Sequence, residues 1–211
     1  MTDKQFEEEL QKLGIYLNET QKEQLNSFYE LLIEWNEKIN LTRIVKKEEV
    51  YLKHFYDSLT ICKIVNLNEV KTLCDVGTGA GFPGIVLKIA YPHLKITLVD
   101  SLQKRVNYLN DVIEKLNLKD ICAIHERGEN IKNTYDIVTA RAVANIEKLM
   151  KFTMHLVSTN GKLIAMKGNI DEELTPEIVR KINQKYKIEK IEKFLLPYEN
   201  SQRSLVEISK K

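Results

Sequence analysis

The residues that most constrain how this chain can fold are 72–84, Thr-Leu-Cys-Asp-Val-Gly-Thr-Gly-Ala-Gly-Phe-Pro-Gly. A short, mostly apolar run over residues 73–76 stops at Gly77, the first of four glycines within eight positions. Ile85, Val86, Leu87, Ile89 and Ala90 follow. The pattern predicts a buried strand, a tight turn and a helix with Pro83 near its first position. Glycine serves where the backbone must turn with positive φ or approach a ligand without an intervening Cβ. The N–H groups of such a turn, with the helix dipole, face whatever lies beyond the strand's carboxyl end. This is the punctuation of a nucleotide-type cofactor site, with Gly77, Gly79, Gly81 and Phe82 as the cradle.

Gly79 to Gly84 also matches the G-x-G-x-x-G dinucleotide fingerprint, which on its own is weak evidence. Two features disfavour a nicotinamide dinucleotide. The turn begins at Gly77, so the fingerprint glycines sit two residues too deep in the loop. Asp75 at the strand end would repel a pyrophosphate and suit a cationic ligand. The methionyl part of S-adenosyl-L-methionine carries an ammonium and a sulfonium and no phosphate, so Asp75 favours that cofactor.

The rest of the chain agrees with one α/β domain and an appended helical piece. Residues 1–70 read as an N-terminal helical extension packed on the core: a helix over residues 4–13, a second opened by a capping box at Thr20–Glu23, and a third over residues 48–65. Trp35 reads as core and His54 as part of a helix-packing surface. From Lys71 the period changes to alternating strand and helix, which implies a parallel sheet. Strands are expected at 72–76, 95–100, 121–125, 135–140, 162–167, 186–195 and 204–209. Helices are expected at 82–90, 103–116, 145–156 and 172–182, with Asn160-Gly161 as a turn. The last two strands are joined without a helix, as in class I methyltransferases and unlike NAD domains.

In such a sheet ligands lie beyond the carboxyl ends of the strands. Asp100, about 20 residues past the glycine loop, ends the second strand where an acid accepts ribose hydroxyls; with Ser101 it also suits a helix cap. Gly128 and Glu129, after the third strand, are placed to meet an adenine ring. Arg141, after the fourth, suits a carboxylate or a phosphate. Lys167 and Arg203 also fall at strand ends, and with Arg127 and Arg141 they suggest an RNA-facing rim. No Asn/Asp-Pro-Pro-aromatic run for exocyclic amines is present. No cysteine follows strand four or five for a covalent route, and no carboxylate cluster suggests a metal.

Charge is uneven. Residues 1–37 hold 3 basic and 9 acidic side chains, a net of −6, and residues 71–211 hold 23 and 17, a net of +6. A basic catalytic part permits an anionic substrate. No apolar run approaches the ~20 residues of a membrane span, and the first residues have no signal-peptide pattern. Cys62, Cys74 and Cys122 lie in apolar contexts without metal-ligand spacing, so buried thiols in a reduced, cytoplasmic protein are expected.

The segments Asp75–Gly84, Leu98–Arg105, Tyr135–Ala144 and Ala165–Gly168 together resemble the bacterial small-subunit ribosomal RNA methyltransferase G family, formerly the glucose-inhibited division protein B family. Asn-Leu-Thr-Arg (40–43) and His-Phe-Tyr-Asp-Ser-Leu (54–59) match its N-terminal part, so the resemblance covers nearly the whole chain. It implies a Rossmann-like domain of seven mostly parallel strands, the last antiparallel, over residues 71–211. It also implies methyl transfer to N7 of one guanine in 16S ribosomal RNA or a small-subunit precursor; separately, a monomer that binds no membrane is expected. Cofactor contacts at Gly77, Phe82, Gly128, Glu129 and Arg141 follow from the same resemblance. A methyltransferase acting on another RNA position, a non-catalytic RNA-binding module and an NAD-dependent oxidoreductase are the alternatives.

Overall fold

The computed structural model describes all 211 residues. Seven strands form one sheet: β1 Thr72–Val76, β2 Lys95–Asp100, β3 Ile121–His125, β4 Tyr135–Arg141, β5 Val157–Lys167, β6 Tyr186–Leu195 and β7 Gln202–Lys210. Their spatial order is β3-β2-β1-β4-β5-β7-β6. β7 runs antiparallel between β5 and β6, and the pairings among the first five strands are parallel. β1 and β4 are fully or nearly fully buried because both sheet faces are covered, which is why they read as apolar runs without alternation. The order reverses between β1 and β4, and the crevice there is where a doubly wound sheet admits a ligand.

Eight helices complete the fold: α1 Asp3–Lys12, α2 Glu19–Ile39, α3 Lys47–Val50, α4 Asp57–Leu59, α5 Gly84–Ala90, α6 Gln103–Lys115, α7 Ile146–Thr153 and α8 Pro176–Ile182. One apolar cluster, of 34 buried residues, joins α1, α2 and the segment 50–70 to α5, α6 and one face of the sheet. A second, of 19, lies under α7 and α8 on the other face. Polar bonds fix the N-terminal helices as well. Gln21 Nε2 donates to the carbonyls of Ile89 (2.8 Å) and Ala90 (3.2 Å), satisfying acceptors that the end of α5 leaves open. Trp35 Nε1 donates to Asp111 Oδ2 at 2.7 Å and its ring meets Tyr108 edge-on, a packing role.

Several local expectations are corrected. α2 opens two residues earlier than the Thr20 box, at an Asn18–Gln21 capping box in which each side chain accepts from the other's backbone N–H. Residues 47–63 are not one regular helix: a π-helical turn, Tyr51–Tyr56, and a 3₁₀ turn, Thr60–Lys63, flank α4. The helix expected from residue 172 begins at Pro176, because Thr175 caps it and proline is favoured at the first position. Asn160-Gly161 lies within β5, at an irregularity in its pairing with β4, and is no turn between elements. Cys122 is exposed on the edge strand β3, and of the three thiols Cys74 alone is buried. No helix is long and apolar enough to cross a membrane.

Candidate active site

The glycine loop is held from below. Gly77, Gly79 and Gly81 all have positive φ (70°, 59° and 90°), the region that β-carbons disfavour. A Cβ on Gly77 would stand 2.7 Å from Val143 Cγ2, so this turn must be bare to sit against the β4–α7 connection. Asp75, at the end of β1, is completely buried. Its Oδ2 accepts from Thr78 Oγ1 (2.7 Å) and Gly84 N (2.8 Å), while Oδ1 has no partner. Burial raises its pKa to about 6, and the Thr78 and Gly84 bonds hold it from rising further. The expectation that Asp75 faces a cationic ligand is therefore corrected: it is a clamp under the loop, covered by Thr78 and the start of α5. Gly84→Ala should be destabilising by about 1–3 kcal/mol, the range for overpacking. Its Cβ would overlap Leu98 and lie 3.0 Å from Asp75 Oδ2. An unchanged urea midpoint would show that α5 can shift to make room.

Two cavities open at this end of the sheet. The first, about 290 Å³, lies over β1, β2 and β3 and contains Gly77, Asp100, Ser101, Arg127, Gly128 and Glu129 among its walls. Val76, Val99, Val143 and Phe152 give it apolar surface. Asp100 is 3% exposed. Its Oδ1 accepts from Leu102 N (2.9 Å), and its Oδ2 from Gly79 N (2.9 Å) and Arg105 Nη1 (3.3 Å). Asp100 thus both leads into α6 and braces the glycine loop. A carboxylate offers about four acceptor sites, so one remains.

The second cavity, about 320 Å³, lies over β4, β5 and β7 and contains Arg141, Lys167 and Arg203. The 141–144 connection divides the two: Ala142 lines the second, while Val143 and Ala144 line the first. The rim expected from sequence is therefore split, with Arg127 at one cavity and the other three cations at its neighbour. Those three are also engaged internally. Lys167, with a side chain 7% exposed, donates to both carboxylate oxygens of Glu173 (2.9 and 3.1 Å) and to the carbonyl of Ala144. Arg203 Nε donates to Asp57 Oδ1 (3.1 Å) and Arg141 Nη1 to Asp57 Oδ2 (3.0 Å).

Asp57, absent from the sequence-based candidates, is the centre of this cluster. It is 5% exposed. Arg141 also donates to the carbonyl of Lys53 (3.0 Å) and to His54 Nδ1 (3.2 Å), and its guanidinium lies over the Phe82 ring at 5.1 Å. The His54 imidazole is stacked on Phe82 at 4.4 Å between centroids, with Phe28 and Phe55 also packed against that ring. His54 Nδ1 lies 3.2 Å from the Lys53 carbonyl as well as from Arg141, and Nε2 is hydrogen-bonded to Thr42 Oγ1 at 3.0 Å. Burial and the Arg141 charge lower the His54 pKa to about 3, so the ring is neutral. Phe82, expected at the cofactor, is 5% exposed and lines neither cavity; it links the loop to this cluster. His54 is correspondingly part of the site region as well as of the packing.

The first cavity fits a nucleoside. It offers a carboxylate with one open acceptor site, a glycine approach and apolar walls. Three carboxylates line it (Asp100, Glu126, Glu129) against two cations (Arg127, Lys148), an environment unsuited to a pyrophosphate. Residues 21–206 match the family model described as rRNA small subunit methyltransferase G. The chain belongs to this family.

Curated relatives of the methyltransferase G family agree over the full length. The Ribosomal RNA small subunit methyltransferase G of Bacillus cytotoxicus is 46% identical, covering 100% of this chain and 91% of that protein. Its counterpart from Staphylococcus carnosus is also 46% identical, covering 97% and 88%. Among solved structures, a SAM-dependent methyltransferase from Aquifex aeolicus superposes with a TM-score of 0.58 at 18% identity, over 77% of this chain and 93% of that one. The mitomycin 7-O-methyltransferase MmcR gives 0.62 at 14% identity, over 85% and 60%. These likenesses show the class I methyltransferase fold, and the last strand is antiparallel as expected. Family membership makes the protein a methyltransferase with S-adenosyl-L-methionine as its methyl donor, and it removes the NAD-dependent alternative.

Proposed function

We propose that the protein methylates N7 of a guanine in 16S ribosomal RNA, with the cofactor's nucleoside in the first cavity and the acceptor base in the second. The adjacency of the two cavities across the 141–144 connection carries this reading. S-adenosyl-L-methionine supplies a methyl group already activated on a sulfonium centre. Asp100 accepts from one ribose hydroxyl through its remaining site. Val99 and Phe152 would give the adenine apolar surface, with Gly128 and Glu129 on the same cavity wall. Gly77, whose Cβ position is taken up by Val143, would border the donor end of the cofactor along the cavity wall.

On the acceptor side, guanine N7 carries a lone pair and no proton, so no side chain need act as a base. The neutral His54 and the engaged Lys167 are consistent with that. What remains for the protein is alignment, which can supply on the order of 7–11 kcal/mol. The Phe82–Arg141–Asp57–Arg203 chain of contacts ties the cofactor loop to the acceptor cavity and is suited to holding the two at a fixed distance. Lys167, in this reading, supports the 141–144 connection through Ala144 and Glu173, and the expectation that it meets RNA is withdrawn.

Incubation with methyl-labelled cofactor and small subunits from cells lacking this modification tests the assignment. Label in 7-methylguanosine after nuclease digestion is expected; label in another nucleoside, or none, overturns it. Asp100→Ala should weaken cofactor binding by about 1–3 kcal/mol, the cost of removing a charged hydrogen-bond partner. Calorimetry on the folded variant checks this, and an unaltered affinity would move the ribose elsewhere.

A further inference from the structure

We propose that the loop of residues 40–46 is an RNA-binding element, gripping phosphates beside the acceptor cavity through Arg43 and Lys46. The inference rests on the methyltransferase reading of that cavity. Four cations approach it, and each is paired with a carboxylate of the protein, four carboxylates in all. Lys53 pairs with Glu49 (3.0 Å) and Glu199 (2.9 Å), Arg141 and Arg203 share Asp57, and Lys167 pairs with Glu173. The acceptor cavity therefore has little charge of its own left for a polyanion. Ile44, a wall of the same cavity, lies between Arg43 and Lys46. Both of these side chains are exposed, and neither makes an ion pair or a side-chain hydrogen bond. The neighbouring Lys47, by contrast, is paired with Asp3.

The loop is irregular yet well fixed, the condition for a binding surface that need not be ordered on contact. Asn40 turns it out of α2 in the left-handed region (φ 49°). Asn36 Oδ1 accepts from Thr42 N (2.8 Å), Thr42 Oγ1 accepts from Ile44 N (3.1 Å), and Tyr29 donates its hydroxyl to the Val45 carbonyl (3.1 Å). The His54–Thr42 bond then connects the loop to the ring stacked on Phe82. A fixed backbone and two free cations beside the base pocket fit the phosphates of a nucleic acid strand better than a solvated turn. The N-terminal extension would thus hold the substrate as well as cover the sheet.

The test is filter binding of purified 16S rRNA from cells lacking the modification, from about 50 to 200 mM salt, for the wild type, Arg43→Ala, Lys46→Ala and the double variant. Each lost phosphate contact lowers the logarithmic salt slope by roughly 0.7–0.9, so the double variant should lose about 1.4–1.8. Calorimetric affinity for S-adenosyl-L-methionine should be unchanged, and Arg43→Lys should restore the slope lost in Arg43→Ala. A double variant with the wild-type slope overturns the proposal, as does an equal loss of cofactor affinity. Because binding is read without turnover, absence of guanine methylation by the wild type would strike the functional reading and leave this result interpretable.

Discussion

Asp57→Ala should cost on the order of 3 kcal/mol of stability and most of the methyl transfer. The carboxylate is buried between two guanidinium groups from distant parts of the chain, Arg141 at the end of β4 and Arg203 at the start of β7. Removing one partner of a buried ion pair typically costs about 3–5 kcal/mol, because the charge left behind has lost both water and its counter-ion. Here the lower end applies, since the Arg203 side chain is 23% exposed and water can screen it. Arg141 is the more exacting partner: burial already weighs against its charged form and Asp57 opposes that effect. With Asp57 gone, Arg141 loses an anchor for its position over Phe82, and the contact between cofactor loop and acceptor cavity is loosened. Asp57→Asn keeps the shape and one acceptor oxygen, so it should fall between. Urea denaturation and single-turnover rates at saturating cofactor measure the two effects. A stability loss below about 1 kcal/mol, with turnover intact, would show that the cluster is an ordinary surface ion pair.

Asp57 also shows where sequence reading reaches its limit. The strands, the glycine turn and Asp100 were legible because their signals are local: an apolar run, residues that tolerate positive φ, an acid at a strand end. The helix-free link between the last two strands marked where the parallel pattern ends, and β7 is antiparallel to both its neighbours. What the Asp57 cluster needs is the coincidence of residues 57, 141 and 203, which no local pattern encodes. A partial signal existed, since His54 and Asp57 are three apart in a helical segment and share a face. The ion pairs of Lys167 and Arg203 were hidden for the same reason. Strand ends were read correctly, but the acids that neutralise them, Glu173 and Asp57, come from elsewhere. Asp75 was misjudged because position at a strand's end does not reveal which side the backbone will cover. The loop folds back over it, with Thr78 and Gly84 as the covering groups.

Replacing the acceptor guanine by 7-deazaguanine, which has carbon in place of N7, should abolish methyl transfer while leaving RNA binding within about twofold. No smaller change separates the acceptor atom from the rest of the base so cleanly. The same assignment fixes the pH dependence. An acceptor with a lone pair and no proton requires no ionisation before transfer, so the chemical step has no group that must titrate near neutrality. His54 is the one imidazole bonded to Arg141, and its pKa, depressed to about 3, keeps it neutral throughout the working range. A depressed histidine pKa means the proton is already lost well below neutrality, so raising the pH from about 6.5 to 8.5 changes nothing at this residue. Asp75, raised to about 6, takes up a proton as the pH falls through that value and would then hold the glycine loop less firmly. Single-turnover rates at saturating cofactor and RNA should therefore be flat from about pH 6.5 to 8.5, with any decline confined to the acid side. His54→Gln should retain most of that rate, losing the stack on Phe82 but no proton transfer. A log-linear rise with pH, or label entering the 7-deaza substrate, would place the methyl group on a different atom, one that must lose a proton before it can attack.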